Sequence, residues 1–244
     1  MSCRWFLGKI AILLLAGVAF LAPAPTAADS PFSAEWHGLG GDCDGDCAIF
    51  VFGGRQTTTS PGLTFGFADI TQGQYGFVEP TPIWEFDCLD SDILGVALSR
   101  RFVTFSYEDT PFLALEGEIG AAQRFGSQTE QEVWAALYAR WLWFPWNDTI
   151  TTTFAVSTGL NYVTGISDYE LARSGNGEGS RLLHYFSPEI TFASPDHPDR
   201  EIVFRMHHRS GIKGNDGNGT PGFALFNYAD TGATYASVGL RLRF

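Results

Sequence analysis

A histidine and a serine stand two residues apart in RMHHRSGIKG, the segment Arg205–Gly214. A serine hydroxyl is a weak nucleophile, which a neighbouring imidazole activates by taking its proton as the oxygen attacks an ester carbonyl. Residues two apart on a β-strand point to the same face, so a strand here would let His208 and Ser210 act together. The spacing is common by chance, and its meaning depends on the elements around it.

The chain alternates polar and apolar residues from Ala48 onward, which is the period of β-strands. Breaks rich in Gly, Asp and Pro separate the alternating segments, and no convincing helical pattern appears. We predict an all-β fold, an antiparallel up-and-down transmembrane β-barrel, because about eight strands are present. The predicted strands are Ala48–Gly54, Ile93–Thr104, Phe112–Phe125, Glu132–Phe144, Thr149–Thr164, Arg181–Ala193, Arg200–Ile212 and Ala233–Phe244.

Each predicted strand has one apolar and one polar face. A barrel in a membrane turns its apolar face outward and must then supply partners for the charges that it encloses. Such partners exist, because Glu116 and Glu118 lie on the polar face of one predicted strand and Arg140 on that of the next. The alternative is a secreted β-sandwich, whose polar face would meet water.

The first part of the chain predicts export. Residues 1–28 have the pattern of a secretory signal peptide, with basic residues before the apolar run Ile10–Leu21 and cleavage expected after Ala28. Residues 29–47 would then form an N-terminal periplasmic segment and residues 48–244 the barrel of the bacterial outer membrane. The net charge of −12 argues against nucleic acid as a partner.

The positions of the cysteines and histidines do not predict a metal site. Cys43 and Cys47 are predicted to form a disulfide in an oxidising compartment, which leaves Cys88 unmatched. The acids in DCDGDC match a calcium loop in their alternation only, so a solvated turn is favoured. We expect no metal and no cofactor, and we assign no role to three scattered histidines, which are His37, His184 and His197.

Loop lengths orient the barrel, because bacterial barrels keep short turns on the periplasmic side. The predicted short turns are Glu108–Pro111, Pro145–Asp148 and Ser194–Asp199, and the predicted long connections are Arg55–Asp92, Gly165–Ser180 and Lys213–Gly232. Arg200–Ile212 therefore runs outward, and its end carries His208 and Ser210 on the apolar face near the outer leaflet. Tryptophans at one strand end, Trp141, Trp143 and Trp146, are typical of an interfacial aromatic girdle.

The stretch FRMHHRSG, followed by a Gly/Asn-rich loop and a last strand ending in Phe244, resembles the outer-membrane lipid A 3-O-deacylase family, the acyloxyacyl hydrolase-like β-barrels. ARWLWFPWNDTITTTFAVSTGLNY and EITFASPDHPDREIVFRMHHRSG are similar to uncharacterised relatives of that family. The resemblance is clearest from about Phe112 onward. It implies an eight-stranded barrel whose partner is lipid A, or lipopolysaccharide, of the outer leaflet. It also implies that Ser210 is the nucleophile and His208 the general base of ester hydrolysis.

The third member of the family's site is a glutamate on the last strand, but Ala233–Phe244 contains no acidic residue. Thr234 on the lipid face, which accepts at most a hydrogen bond, and Asp230 in the preceding loop are the candidate substitutes. Glu189 turns inward, opposite His207 in the register predicted for its hairpin, and is expected to be a structural partner.

Two groups that follow the serine in the sequence are candidate oxyanion donors. They are the backbone N–H of Gly211 and the loop residue Asn215. The leading hypothesis is an outer-membrane esterase that removes an acyl chain from lipid A. The competing hypothesis is a non-catalytic barrel with a structural, adhesion or surface-binding role, which the missing acid favours. A small-solute channel is a third, weaker hypothesis, because about eight strands leave an interior filled by side chains.

Overall fold

A computed structural model describes residues 30–66, 76–173, 179–211 and 232–244, so the predicted signal peptide lies outside the described residues. The strands are β1 (Phe32–Trp36), β2 (Cys47–Thr57), β3 (Cys88–Tyr107), β4 (Thr110–Gly126), β5 (Gln131–Trp141), β6 (Thr151–Val163), β7 (Leu182–Phe186), β8 (Glu189–Ser194), β9 (His197–Ser210) and β10 (Gly232–Arg243). The connections contain two short helices, α1 (Pro61–Phe65) and α2 (Asp168–Arg173), and a 3₁₀ helix at Ile83–Glu85. None of the helices in the described ranges combines the length and hydropathy that a membrane-spanning helix requires.

The strands close into an antiparallel ring. Each strand of the ring is hydrogen-bonded to the strands on either side of it, and the β3–β4 pairing closes the ring. β7 and β8 occupy one position, because both pair with β6 on one side and with β9 on the other. Ser187 and Pro188 interrupt this position, where proline has no backbone N–H for the ladder. With β1 outside the ring, the barrel has eight strand positions, and the predicted antiparallel barrel is confirmed. The predicted strand Arg181–Ala193 is divided into β7 and β8.

One end of the barrel carries tight turns. Glu108 and Asp109 both have positive φ, 46° and 65°, in the two-residue turn between β3 and β4. This is the conformation of a type I′ hairpin, whose twist matches that of the flanking strands. A second two-residue turn, Pro195–Asp196, joins β8 to β9. By the loop-length rule this end is the periplasmic one, and β9 runs from it towards the outside.

The interior holds a connected network of ion pairs. Glu189, fully buried on β8, accepts hydrogen bonds from Arg140 at 2.6 Å, Arg205 at 2.8 Å and Arg241 at 2.7 Å. Arg205 also forms a bidentate pair with Glu118, at 2.8 and 2.7 Å. The inward orientation predicted for Glu189 is therefore confirmed, and the enclosed charges neutralise one another.

On the extracellular side of this network, aromatic rings fill the barrel. Phe52, Trp134 and Tyr185 all pack against the ring of His207, with centroid distances of 4.8 to 5.5 Å. Trp134 lies so close to the inward face of β4 that a Cβ at Gly120 would be 2.1 Å from the indole ring. The packed rings close the middle of the described barrel, which argues against the channel hypothesis.

The outer wall is apolar. Its exposed large side chains include Leu94, Val96, Leu98, Ile119, Val133, Leu137, Leu160, Ile202, Val238 and Leu240. A charged interior beneath an apolar exterior inverts the pattern of a soluble protein and defines a transmembrane barrel of the outer-membrane type. The predicted aromatic girdle is found at the periplasmic end, where Trp141, Trp143 and Trp146 are about half exposed.

Residues before β2 are fastened to the periplasmic end. Cys43 and Cys47 form the predicted disulfide, whereas Cys88 is free and exposed. β1, which the sequence pattern did not predict, pairs with the periplasmic end of β3. His37 joins both parts, since its imidazole lies 3.1 Å from Asp46 and 2.9 Å from Thr104. We therefore interpret His37 as structural.

The long connection between β2 and β3 folds back onto the outer wall. Phe65 packs against Phe154 of β6 and Phe204 of β9, with centroids 5.5 and 6.1 Å apart. Much of the local backbone is hydrogen-bonded within the connection. For example, Leu63 N–H donates to the Ser60 hydroxyl and Thr81 N–H donates to Leu63 C=O. Internal satisfaction of this kind is what a non-helical segment at membrane depth requires.

The predicted hairpin register is wrong by two residues. Glu189 lies opposite Arg205 rather than His207, because the register is set by the two-residue Pro195–Asp196 turn together with an irregularity between Phe192 and Ser194. A shift by an even number leaves every side chain on its predicted face. The shift does change which outward residues become neighbours, which matters for the candidate site.

We expect Glu189→Gln to destabilise the barrel by about 3–5 kcal/mol, because it leaves buried guanidinium groups without their shared anion. The measurement is the urea unfolding midpoint of the protein in lipid vesicles. Glu85→Gln, which changes an exposed carboxylate in the 3₁₀ helix, is the matched control and should leave the midpoint unchanged. Equal midpoints for the two variants would contradict the role given to Glu189.

Candidate functional site on the lipid-facing wall

Side chains in the extracellular part of β9 alternate between the interior and the outer wall, which separates structural residues from candidate functional ones. Arg205, His207 and Arg209 are buried and point inward, where Arg209 pairs with Glu170 at 2.8 Å. His208 and Ser210 lie on the opposite face, and Ser210 is the last residue of the strand. The two candidate residues therefore share the outer wall at its extracellular end, as the sequence predicts.

His208 has a hydrogen-bonding partner on the neighbouring strand β10. Thr234 of β10 lies directly opposite His208, and its hydroxyl oxygen is 2.7 Å from the imidazole Nδ1. A histidine that donates from Nδ1 presents Nε2 as its basic nitrogen. Thr234 is thus in the position of an orienting residue, but it brings no negative charge to stabilise an imidazolium.

A second histidine flanks the serine. His184 of β7 lies directly opposite Ser210, and its Nε2 is 2.9 Å from the hydroxyl of Thr158 on β6. Directly opposed residues have Cβ atoms about 4.5–5.5 Å apart, whereas residues two apart on one strand are about 6.6 Å apart along it. The backbone therefore brings His184 closer to the serine than it brings His208.

Sequence reasoning missed His184 because of the two-residue error in register. The alternation alone already places its side chain on the lipid face, which is the signal that identifies it. The pairing of His184 with Ser210 also depends on the register irregularity between Phe192 and Ser194, because the two-residue turn alone, counted back from Ser194 and His197, would place His184 opposite His207.

On its other side Ser210 lies opposite a glycine, Gly232. A Cβ on Gly232 would be 2.3 Å from the Arg209 carbonyl oxygen and 3.0 Å from the Ser210 Cα. Only glycine fits this close approach of the two backbones. The surroundings of the serine are therefore asymmetric, with an imidazole on one strand and no side chain on the other.

The remaining predicted site residues are placed as follows. Gly211 directly follows the end of β9, consistent with a backbone N–H near the serine. Asn215 and Asp230 lie outside the described residues. Glu189 faces the interior, so it does not replace the missing acid.

An apolar groove of about 700 Å³ crosses the outer wall, from Cys47 and Phe244 near the periplasmic end to Thr158 and Leu160 on β6. Thr158, the partner of His184, lines one end of it, and small residues such as Gly117 and Ala135 make its floor. Direct cross-strand pairing links the groove to the serine through one continuous row, Leu98, Ile119, Ala135, Leu160, His184 and Ser210. At about 4.8 Å per strand the row is about 24 Å long.

Comparison with known proteins gives limited similarity. A crystal structure of the outer membrane enzyme PagL is similar at a TM-score of 0.47 and 12% sequence identity, over 81% of this chain and 99% of that chain. No protein-family model and no curated protein matches the chain. The function therefore has to be inferred from the residues of this chain itself.

We expect Thr234→Val to remove the acceptor at Nδ1 and to increase the fraction of His208 protonated at Nε2, which ¹⁵N NMR of the imidazole measures directly. Thr158→Val is the control, because it removes the equivalent partner of His184. It should alter the His184 resonances and leave those of His208 in place. An unchanged His208 spectrum in Thr234→Val would exclude Thr234 as the orienting residue.

Proposed function

We propose that this protein is an outer-membrane esterase that removes an ester-linked acyl chain from lipid A, with Ser210 as nucleophile and His208 as general base. The observation that carries the proposal is the hydrogen bond between Thr234 and His208, two residues from an outward serine at the extracellular end of the wall. A polar cluster facing lipid is costly unless it has a function.

The proposed reaction has two steps. The Ser210 oxygen attacks the ester carbonyl while His208 Nε2 takes its proton, and collapse of the tetrahedral intermediate releases the sugar hydroxyl, protonated by the imidazolium. Water, activated by the same imidazole, then hydrolyses the acyl-serine to the free fatty acid. The backbone N–H of Gly211 is the proposed oxyanion donor.

The groove supports a lipid substrate. It begins at Leu160 and Thr158, next to His184, and is lined mostly by apolar side chains. An acyl chain lying in it would be held along the wall, with its ester end directed towards the serine. His184 would then lie between the groove and the nucleophile, as a second polar contact for the ester.

Threonine in place of an acid favours a second candidate function, a non-catalytic barrel with a surface-binding role. A neutral acceptor orients the base but gives the imidazolium no electrostatic stabilisation, and loss of that charge lowers the rate of a serine triad by orders of magnitude. Under the first proposal the enzyme is therefore slow, and under the second it is inactive.

The first experiment incubates the purified protein in detergent with lipid A and follows the products by mass spectrometry. We expect loss of one acyl mass, abolished by Ser210→Ala and reduced at least ~100-fold by His208→Ala. Ser194→Ala and His197→Ala, at the periplasmic end of the same hairpin, are the matched controls and should retain activity. Acyl loss that persists in Ser210→Ala would exclude this nucleophile, and intact lipid A with every variant would favour the surface-binding function.

A second experiment restores the charge. Thr234→Glu places a carboxylate next to His208 and should raise kcat/KM by at least ~10-fold over the wild type, because it stabilises the imidazolium. Heat-modifiable migration on gels verifies that the variant is folded. A folded Thr234→Glu variant with unchanged activity would contradict the assignment of His208 as the base.

A further inference from the structure

Arginine side chains are concentrated in the periplasmic third of the barrel interior. We define the lower arginine cluster as Arg101, Arg140, Arg241 and Arg243. Three carboxylates pair with this cluster. Glu116 pairs with Arg140 at 2.9 Å and with Arg243 at 3.0 Å, and Glu201 pairs with Arg241 at 2.9 Å and with Arg243 at 2.6 Å. Glu189 pairs with Arg140 at 2.6 Å and with Arg241 at 2.7 Å. Glu189 contributes only in part, because it is shared with Arg205.

Three of these arginines line a cavity of about 380 Å³ at the periplasmic end. Its other polar lining comes from the hydroxyls of Thr151, Thr153 and Thr191 and from the carboxylates of Asp199 and Glu201. The cavity lies on the inner side of the wall, on the opposite side from the candidate esterase site.

Arginine N–H groups in this cavity lack acceptors. The Arg243 side chain is 9% exposed, yet its Nη1 is buried without a hydrogen-bond acceptor among the described residues. Arg101 Nε has none there either, since the closest carboxylate oxygen, on Glu116, is 3.7 Å away. Buried charged donors of this kind are costly to leave unpaired.

We propose that this cavity binds a phosphate-type oxyanion that enters from the periplasm. Guanidinium groups match the oxygen geometry of phosphate, and Arg101 and Arg243 come from different strands, so they approach one ligand from two sides. Asp199 adds selectivity, because a carboxylate accepts a hydrogen bond from the P–OH of hydrogen phosphate but repels sulfate, which has no proton to donate. A water-borne phosphate is favoured over a lipid headgroup, because the cavity opens within the barrel.

The test is calorimetric titration of the folded full-length protein with inorganic phosphate, at constant ionic strength in a detergent without phosphate. We expect saturable binding of one phosphate and at least ~10-fold weaker binding of sulfate. Arg101→Gln, which leaves the pairs of Arg243 intact, should weaken phosphate binding at least ~10-fold. Arg55→Gln is the control, because this arginine is exposed at the other end of the barrel.

Several results would overturn the proposal. Non-saturable heats in the wild type, or equal affinity in wild type and Arg101→Gln, would exclude the site. Equal affinity for sulfate would exclude the role of Asp199. Displacement of phosphate by phosphatidylglycerol vesicles would instead assign the site to a lipid headgroup. None of these outcomes depends on esterase activity.

Discussion

The structure depends on one buried carboxylate shared by three guanidinium groups. Glu189 on β8 binds arginines from β5, β9 and β10, so a single side chain links four strand positions of the ring. A strand that slipped by one residue would move its charges from this network into lipid. The interior charges therefore determine the face of every outward residue, including those of the candidate site.

This constraint explains what the sequence could predict. Alternation alone identified the eight barrel strands and the inward orientation of Glu189. It could not supply the register of the β8–β9 hairpin, which depends on the length of the turn and on the irregularity between Phe192 and Ser194. That difference of two residues separated His184 from Ser210 in the prediction. β1 was also missed, because a five-residue strand without a marked alternation has no signal of its own.

The candidate site follows from two cross-strand pairs on the outer wall, Thr234 with His208 and Thr158 with His184. Each is an imidazole oriented by a neutral hydroxyl, and they flank the serine from two strands. Strands hold side chains more rigidly than loops do, so the geometry is built into the wall. Neither hydroxyl carries a negative charge, so Thr234 and Thr158 orient the two rings but do not stabilise an imidazolium electrostatically.

The packing of Phe65 against Phe154 and Phe204 has a consequence for assembly. The connection that carries Phe65 emerges early in the chain, whereas β9 is nearly the last strand to be added. Contacts between residues so distant in sequence form late, after the costly closure of the intervening chain. The docked segment is therefore a reporter of completed barrel closure: a protease that cleaves near Phe65 would distinguish partly assembled molecules from finished ones.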